Sequence, residues 1–235
     1  MNRNGGSESL SDDGYRRIRD DIIFGRLLPE QKLRLAMLKE TYGLSVSTLR
    51  EVLARLSSEG FVIAEGRRGF EVALVSTANL RELAEFRRLL ECDAMERSFA
   101  RANIEWEARV VSAHYKLAAI EQKLIAGERE VALWKHYDCE FHRALISNCG
   151  SDELINEHQL VFDKYFRYPL LSAAKRGIAP IEEHQQLLEC ALARDASQAK
   201  AVLTTHLRRG VEFAIEQGLC AGLKANASPT KKTRK

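Results

Sequence analysis

Residues 44–56 carry apolar side chains at the spacing of one helix face. Four of them stand at positions i, i+3, i+4 and i+7, namely Leu49, Val52, Leu53 and Leu56. This is the period of an amphipathic helix that buries one stripe. Gly43 interrupts the preceding segment, and Ser45 is a residue type preferred at a helix N-cap. The pattern therefore predicts a helix that begins close to Ser45.

Polar side chains cluster on the first turns of this predicted helix, away from the apolar stripe. They are Ser47, Thr48 and Arg50. Small hydroxyl groups and an arginine at this place suit phosphate oxygens and base edges in a DNA major groove. Taken alone, the pattern is equally consistent with an ordinary surface helix of a small α domain. The flanking segments are needed to distinguish the two interpretations.

The flanking segments favour DNA binding. Helices are predicted at about 13–24 and 35–42. A tight turn joins the second of these to the helix over residues 44–56, as in a helix-turn-helix. Strand-like residues 61–63 and 70–74 flank a glycine-containing turn that carries Arg67 and Arg68. The sequence thus predicts a basic-tipped hairpin beside the helix pair, and a winged helix-turn-helix domain over residues 13–75.

The pattern changes to long helical repeats in the second part of the chain. Six helices are predicted, near 79–101, 104–126, 130–148, 151–171, 181–194 and 196–217. Helices of this length with short connections form an antiparallel bundle. The predicted fold is therefore mainly α, with the winged domain followed by an all-α bundle over 79–217. Residues 1–12 are predicted to be disordered, and 218–235 to form a flexible basic tail.

Composition restricts the location and the partners. The chain has 235 residues, of which 45% are hydrophobic and 29% charged, as in globular proteins. No apolar run reaches about 18 residues and no secretory signal precedes the domains, so we expect a cytoplasmic protein that does not enter a membrane. Five scattered cysteines fit free thiols in a reducing compartment. The net charge of +3 is too small to indicate nucleic acid by itself.

A second group of polar residues lies in the predicted bundle. Asp138 and His142 are four residues apart, and four residues turn a helix by about 400°, so both side chains leave one face. His184 and His206 each have apolar neighbours on a later helix, which points them toward the core. One carboxylate and three imidazoles are suitable ligands for Zn²⁺, Ni²⁺ or a similar ion. The alternative is a set of hydrogen-bonded core histidines. The remaining histidines are interpreted as surface or packing residues: His114, His136 and His158.

The N-terminal segment resembles the DNA-binding domain of the GntR family of bacterial transcription regulators. The matching residues include Gly25, Leu28-Pro29, Tyr42-Gly43, Ser45, Leu49-Arg50-Glu51, Gly60 and Arg68-Gly69-Phe70. Two positions depart from the family pattern, since Ala36 and Val46 stand where many members have arginine. The resemblance implies an operator-contacting set of Arg34, Ser45, Ser47, Thr48, Arg50, Arg67, Arg68 and Gly69.

Residues 79–217 resemble the all-helical effector domain, called FCD, of the FadR subfamily. The matching stretches are 85–91, 138–145, 183–184, 191–196 and 206–207. The resemblance implies that a divalent metal, Zn or Ni, is held by Asp138, His142, His184 and His206. It also implies that Arg87 points into the same cavity, where it pairs with the carboxylate of an effector. Without the resemblance, an intrahelical pair between Arg87 and Glu91 is the favoured interpretation.

The sequence thus predicts a transcription regulator that is not an enzyme. We expect a homodimeric repressor on a pseudo-palindromic double-stranded operator, released by a small organic acid bound beside the metal. Two alternatives remain open at this stage. In one, the ion itself is the signal; in the other, the metal activates water for a hydrolytic reaction.

Overall fold

The computed structural model describes residues 9–66, 69–128, 130–171 and 179–216. The chain divides into two compact units, an N-terminal unit of residues 1–75 and a C-terminal unit of residues 76–235. Among the described residues, no helix is long and apolar enough to cross a lipid bilayer.

The N-terminal unit is a winged helix-turn-helix. Its elements in chain order are α1 (Leu10–Ile23), β1 (Lys32–Leu33), α2 (Leu35–Tyr42), α3 (Val46–Ser58), β2 (Val62–Ala64) and β3 (Phe70–Val72). The strands form an antiparallel sheet in the order β1-β3-β2. In this sheet β3 is paired on both sides, with Glu71 opposite Ile63 and Phe70 opposite Leu33. Strand β3 is shorter than the predicted 70–74.

Helix α3 is the element around which the N-terminal unit packs. Its apolar stripe is buried, with Leu49, Val52, Leu53 and Leu56 at most 1% exposed. The Ser45 side chain accepts a hydrogen bond from the Thr48 backbone N–H, which satisfies one of the unpaired donors at the helix start. Gly43 closes α2 in the left-handed conformation at φ 71°, where a side chain would be strained. The Gly43 turn, the Ser45 cap and the buried apolar stripe together set the orientation of α3 relative to α2.

The N-terminal boundary differs from the prediction. Helix α1 begins at Leu10, so residues 10–12 are helical and the predicted disordered segment 1–12 is wrong at its C-terminal end. The reason is local, because the Ser9 side chain accepts a hydrogen bond from the Asp12 backbone N–H. Acidic residues in the first turn also interact favourably with the helix dipole. Residues 1–8 and the predicted basic tail 218–235 lie outside the described residues.

The C-terminal unit contains six helices in the described residues. They are α4 (Thr77–Ala100), α5 (Ile104–Ile125), α6 (Val131–Ile146), α7 (Asp152–Leu171), α8 (Ala179–Ala193) and α9 (Ala196–Glu216). Helix α4 packs against α6, α7 and α9, while α5 packs against α6 and α8. The predicted fold class, a winged domain followed by an all-α bundle, is therefore confirmed.

The bundle core is aromatic at one place and polar at another. Trp106 is fully buried, stacks at a tilt against Phe99 and donates its indole N–H to the Ala144 carbonyl over 3.0 Å. A separate set of charged side chains is buried among α4–α9, although ionisable groups are rarely buried without partners. This polar centre contains the residues of the candidate site.

Candidate functional site

The predicted DNA-contacting residues of α3 lie at its exposed N-terminal turns. Ser45, Ser47 and Arg50 are exposed, and Thr48 is half-buried. The Ser45 hydroxyl lies 2.8 Å from the Ser47 hydroxyl and 2.9 Å from that of Thr48. Val46, which stands where many family members have arginine, is 41% exposed on the same turn. The structure thus gathers three hydroxyl groups at one helix end.

Two arginines of α3 differ in their surroundings. Arg55 is engaged by side chains of its own unit, because its guanidinium lies 3.7 Å from the centre of the Tyr15 ring and pairs with Asp12 and Glu59. Arg50 is exposed, and within the described part of the chain it has no hydrogen bond or ion pair. Its guanidinium therefore retains all its donors for a partner outside the protein.

The other predicted DNA-contacting residues flank this helix in sequence. Arg34 is exposed at the N-cap position of α2, where its side chain makes no capping hydrogen bond. Gly69 lies at the end of the wing turn with φ 97°, and its carbonyl accepts from the Glu65 backbone N–H over 2.9 Å. Arg67 and Arg68 lie outside the described residues.

In the C-terminal unit, the four predicted metal ligands come together. Asp138 and His142 project from α6, His184 from α8 and His206 from α9, and all four are at least 97% buried. One ring nitrogen of each histidine lies within 4.8 Å of the others. His184 Nε2 is 3.2 Å from Asp138 Oδ1. The three histidines therefore surround one buried centre, and Asp138 adjoins it through His184.

A second layer of carboxylates holds the three imidazoles. The Nδ1 atoms of the three rings each contact a glutamate oxygen: His142 with Glu91 at 2.7 Å, His184 with Glu121 at 2.8 Å, and His206 with Glu183 at 2.9 Å. An ionised carboxylate only accepts hydrogen bonds, so each Nδ1 carries the proton and donates it. In a neutral ring this leaves the Nε2 lone pair available to the centre, as in many metal-binding histidines.

The atoms at the centre have few protein partners. Asp138 Oδ2 and His142 Nε2 are buried without a hydrogen bond, while Asp138 Oδ1 and His184 Nε2 pair with each other over 3.2 Å. Buried polar atoms in native proteins are nearly always satisfied by protein, water or an ion. Among the described residues, four carboxylates lie around the centre, against two guanidinium groups and the imidazole of His184: Glu91, Glu121, Asp138 and Glu183 against Arg87 and Arg209. Nitrogen and oxygen donors with excess negative charge fit a divalent cation.

The protonation of the cluster reflects this charge. Burial raises the pKa of Asp138, but the adjacent His184 and other cationic neighbours outweigh burial and hold that pKa well below its usual range. Burial opposes the protonation of His184, yet Asp138 and Glu121 raise its pKa to about 9. In contrast, burial lowers the pKa of His206 to about 3 despite its hydrogen bond with Glu183. Positive charge is therefore favoured between Asp138 and Glu121.

Arg87 lies beside this centre and is fully buried on α4. Its Nε donates to Glu91, so the intrahelical pair considered from the sequence is present. The pair uses only part of the guanidinium, because both Nη atoms are buried without a hydrogen-bond partner. The guanidinium carbon lies 4.2 Å from the centre of the Phe162 ring. Arg87 is thus anchored at one side and has donors to spare at the other.

Sequence reasoning missed the second layer. The glutamates at positions 91, 121 and 183 are distant in the chain and look like ordinary helix-surface residues. His158, interpreted from the sequence as a surface or packing residue, is fully buried, and its Nε2 donates to Glu91 over 2.9 Å. His114 packs against Phe141, and His136 is exposed, in line with the interpretation given to them. Only the i,i+4 spacing of Arg87 and Glu91 signalled part of this layer.

Comparison with known proteins identifies the two units separately. Residues 10–72 match the family "Bacterial regulatory proteins, gntR family", and residues 82–209 match the FCD domain. Among curated proteins, the chain is 33% identical to the uncharacterized HTH-type transcriptional regulator BphR of Paraburkholderia xenovorans, over 90% of this chain and 87% of BphR. It is 32% identical to the HTH-type transcriptional repressor GlaR of Escherichia coli, over 83% of this chain and 91% of GlaR.

Solved structures share the fold. Escherichia coli McbR/YncC superposes with a TM-score of 0.74 at 20% identity, covering 90% of this chain and 99% of that one. A putative GntR regulator from Rhodococcus sp. RHA1 gives 0.72 at 20% identity, covering 89% and 99%. The family matches and the curated relatives show that this chain is a DNA-binding transcriptional regulator of the GntR family, and that its FCD domain agrees with the FadR subfamily.

Proposed function

We propose that this regulator is a repressor that leaves its operator when a small carboxylate binds beside a divalent metal in the FCD domain. The observation that carries the proposal is the buried centre, where Asp138 Oδ2 and His142 Nε2 lack hydrogen-bond partners and Asp138 Oδ1 pairs with His184. The Nη atoms of Arg87 also lack partners nearby in the same bundle. A metal ion would satisfy the first set of atoms, and a carboxylate bound to that ion would satisfy the Nη atoms of Arg87.

Asp138, His142, His184 and His206 would hold the metal. Nitrogen-rich donor sets with one carboxylate favour Zn²⁺ or Ni²⁺ over Mg²⁺ or Ca²⁺, which prefer oxygen ligands. When bound, the ion would supply a Lewis acid that attracts carboxylate oxygens. The three glutamates keep the rings oriented, so the site is organised before the ion arrives.

Arg87 would select the anion. A guanidinium presents paired donors that match the two oxygens of a carboxylate. Glu91 and the Phe162 ring hold the buried side chain on two sides, so little conformational entropy is lost when the anion binds. The chemistry therefore favours a small organic acid that contacts both the ion and Arg87.

The N-terminal unit would read the operator. The proposed contacts are Arg34, Ser45, Ser47, Thr48, Arg50, Arg67, Arg68 and Gly69, with the hydroxyl groups and the wing on phosphates and Arg50 on a base edge. Two such units in a homodimer would match a pseudo-palindromic site. The name of GlaR as a repressor supports the negative sign of regulation.

The test is an operator-binding titration. An operator is first selected from random duplexes, and its affinity is then measured by fluorescence anisotropy with Zn²⁺-loaded and metal-free protein. A panel of small mono- and dicarboxylic acids is added to both forms. We expect one acid to release the loaded protein and metal-free protein to bind the operator. Loss of operator binding on chelation alone would instead identify the ion as the signal, and release by no acid would contradict the proposal.

A further inference from the structure

Glu91 is a junction between three helices. It lies fully buried on α4, and its two oxygens accept from three side chains. Oε1 accepts from Arg87 Nε and from His158 Nε2, and Oε2 accepts from His142 Nδ1. One carboxylate thus contacts both a candidate metal ligand and the candidate anion-binding arginine.

We infer that Glu91 is a positioning residue that prepares both halves of the effector site at once. One oxygen fixes the tautomer of His142, and the other fixes the direction of the Arg87 guanidinium. This inference rests on the proposed function, because it assigns Glu91 a role toward the metal and the carboxylate. It goes beyond that function because it makes one buried side chain responsible for both.

The tautomer of His142 follows from the contact. A carboxylate offers no proton, so His142 must place its own proton on Nδ1 to make the 2.7 Å hydrogen bond. The Nε2 lone pair is then exposed to the centre, where that atom lacks a protein partner. A metal needs this lone pair, so Glu91 prepares the ring for coordination before an ion is present.

An amide at this position would reverse the arrangement. In Glu91→Gln, the amide oxygen is drawn to the Oε1 side, where Arg87 Nε–H and His158 Nε2–H both donate. The amide NH₂ then faces His142 and donates to its Nδ1. The ring must carry its proton on Nε2 instead, which blocks the ligand atom. The substitution changes hydrogen-bond direction while almost preserving shape.

The other two glutamates have simpler surroundings. Glu121 contacts His184, and its second oxygen is buried without a hydrogen-bond partner. Glu183 contacts His206 and the half-exposed Arg209. Among the described residues, only Glu91 joins a candidate ligand to Arg87. Glu121→Gln is therefore a matched buried control that leaves the Arg87 anchor intact.

The experiment uses the full-length protein and Zn²⁺ as the probe. Zn²⁺ affinity is measured by competition with a chromophoric chelator for the wild type, Glu91→Gln and Glu85→Gln. Glu85 is an exposed carboxylate on the same helix that pairs with Arg88, so its replacement controls for the loss of a charge. We expect Glu91→Gln to weaken Zn²⁺ binding by about 10- to 100-fold, the range typical of such partners, and Glu85→Gln to bind as the wild type does.

A spectroscopic readout separates positioning from mere structural support. In metal-free wild type, ¹⁵N NMR of the imidazole rings should show His142 protonated at Nδ1, with the signal assigned by its loss in His142→Asn. Glu91→Gln should move the proton to Nε2 and shift the Arg87 Nε resonance, whereas Glu121→Gln should shift neither. This measurement needs no metal, so it tests Glu91 even if the wild type fails to bind Zn²⁺ and the proposed function falls.

Two results would overturn the inference. One is a metal-free wild type in which His142 carries its proton on Nε2, a finding that does not depend on whether any variant folds. The other is a folded Glu91→Gln protein that binds Zn²⁺ with an affinity within about threefold of the wild type, because losing a second-layer partner should weaken binding by at least about 10-fold.

Discussion

The exposed N-terminal turn of α3, proposed to contact DNA, and the buried centre of the bundle present polar side chains in different ways. Both must hold polar side chains ready for a partner. On α3, Arg50 has no partner within the described residues, and water can satisfy its donors. In the bundle, the candidate ligands are shielded from water, and each histidine is held by a glutamate.

The difference shows that buried polar side chains need a second layer of side chains to hold them. Leaving a buried donor or acceptor unsatisfied costs about 1–3 kcal/mol, so a dry site is stable only if most of its atoms have partners. An exposed site carries no such penalty and needs only a well-placed backbone. We therefore expect substitutions in the bundle to act through neighbouring side chains, and substitutions on α3 to act singly.

The largest effect is expected from a direct candidate ligand. His184→Ala should lower Zn²⁺ affinity by more than about 100-fold, since even outer-layer partners account for about 10- to 100-fold. In the wild type, EDTA should lower the melting temperature, because an ion at 1,000 times its Kd stabilises the fold by about 4 kcal/mol. The variant should show a much smaller shift with EDTA, because the same ion concentration is then at most about 10 times its Kd. Chelator competition and thermal melts measure both.

The matched control for this variant is His136→Ala. His136 lies on α6, the helix that carries Asp138 and His142, but its side chain is 69% exposed. Its removal should change neither Zn²⁺ affinity nor the response to EDTA. If His184→Ala binds Zn²⁺ as tightly as His136→Ala does, the buried centre is not a metal site.

A smaller effect is expected at Arg87, the proposed anion-binding residue. Removing Arg87 entirely would leave Glu91 as a buried charge without its guanidinium, so Arg87→Lys is the cleaner change. Lysine keeps the positive charge but lacks the planar fork. We expect the releasing acid to bind about 1.5–3 kcal/mol more weakly, with Zn²⁺ affinity nearly unchanged. Calorimetry on the Zn²⁺-loaded protein measures the loss.

Arg88→Lys is the control on the same helix. Arg88 is partly exposed and pairs with Glu85, away from the buried centre. Its replacement should leave acid binding intact. Equal acid affinity in Arg87→Lys and the wild type would show that the pair with Glu91 is the whole role of Arg87.

On α3 a single side chain should carry its own effect. Arg50→Ala should reduce discrimination at one base pair by about 1–3 kcal/mol, if Arg50 reads a base edge. Arg55→Ala, on the same helix, removes a side chain that is already engaged by Tyr15 and Asp12. It should lower stability and leave base preference unchanged. Anisotropy titrations on the selected operator and on single-base variants compare the two proteins.

The opposite result would break the comparison between the regions. If Arg55→Ala alters base preference and Arg50→Ala does not, a partner-free side chain is not the mark of the DNA-reading residue. If Arg50→Ala weakens all sequences alike and reduces the salt dependence by about one phosphate contact, Arg50 is a phosphate contact instead.

The two regions also differ in how far the sequence predicts them. The stripe of α3 and its cap at Ser45 are local features with a fixed spacing, so the sequence predicts the helix directly. Asp138 and His142 share one helix, and their spacing suggested a site. The apolar neighbours of His184 and His206 point both toward the same core, but the residues alone do not separate a metal site from hydrogen-bonded core histidines, and only the family resemblance favours the metal. The second layer was invisible, because contacts between distant helices are set by packing that no local pattern encodes.

The smallest effect is expected at the start of α3, where capping and DNA contact coincide in one side chain. Ser45 caps the helix through the Thr48 N–H and is also a proposed phosphate contact. Ser45→Ala should cost about 1 kcal/mol of unfolding free energy and also weaken DNA binding. Asparagine and aspartate cap about as well as serine, so Ser45→Asn and Ser45→Asp should both retain stability.

These two replacements separate the roles because they differ in charge. The carboxylate introduced by Ser45→Asp interacts favourably with the helix dipole at the N-terminus of α3, but it repels a DNA phosphate. The amide introduced by Ser45→Asn can still donate a hydrogen bond to a phosphate. We expect Ser45→Asp to fold like the wild type and to bind all DNA sequences more weakly, most clearly at low salt, where charges are least screened. Urea unfolding measures stability, and anisotropy measures binding. If Ser45→Asp binds DNA as Ser45→Asn does, this helix end lies away from the phosphates, and the hydroxyl cluster serves only to begin α3.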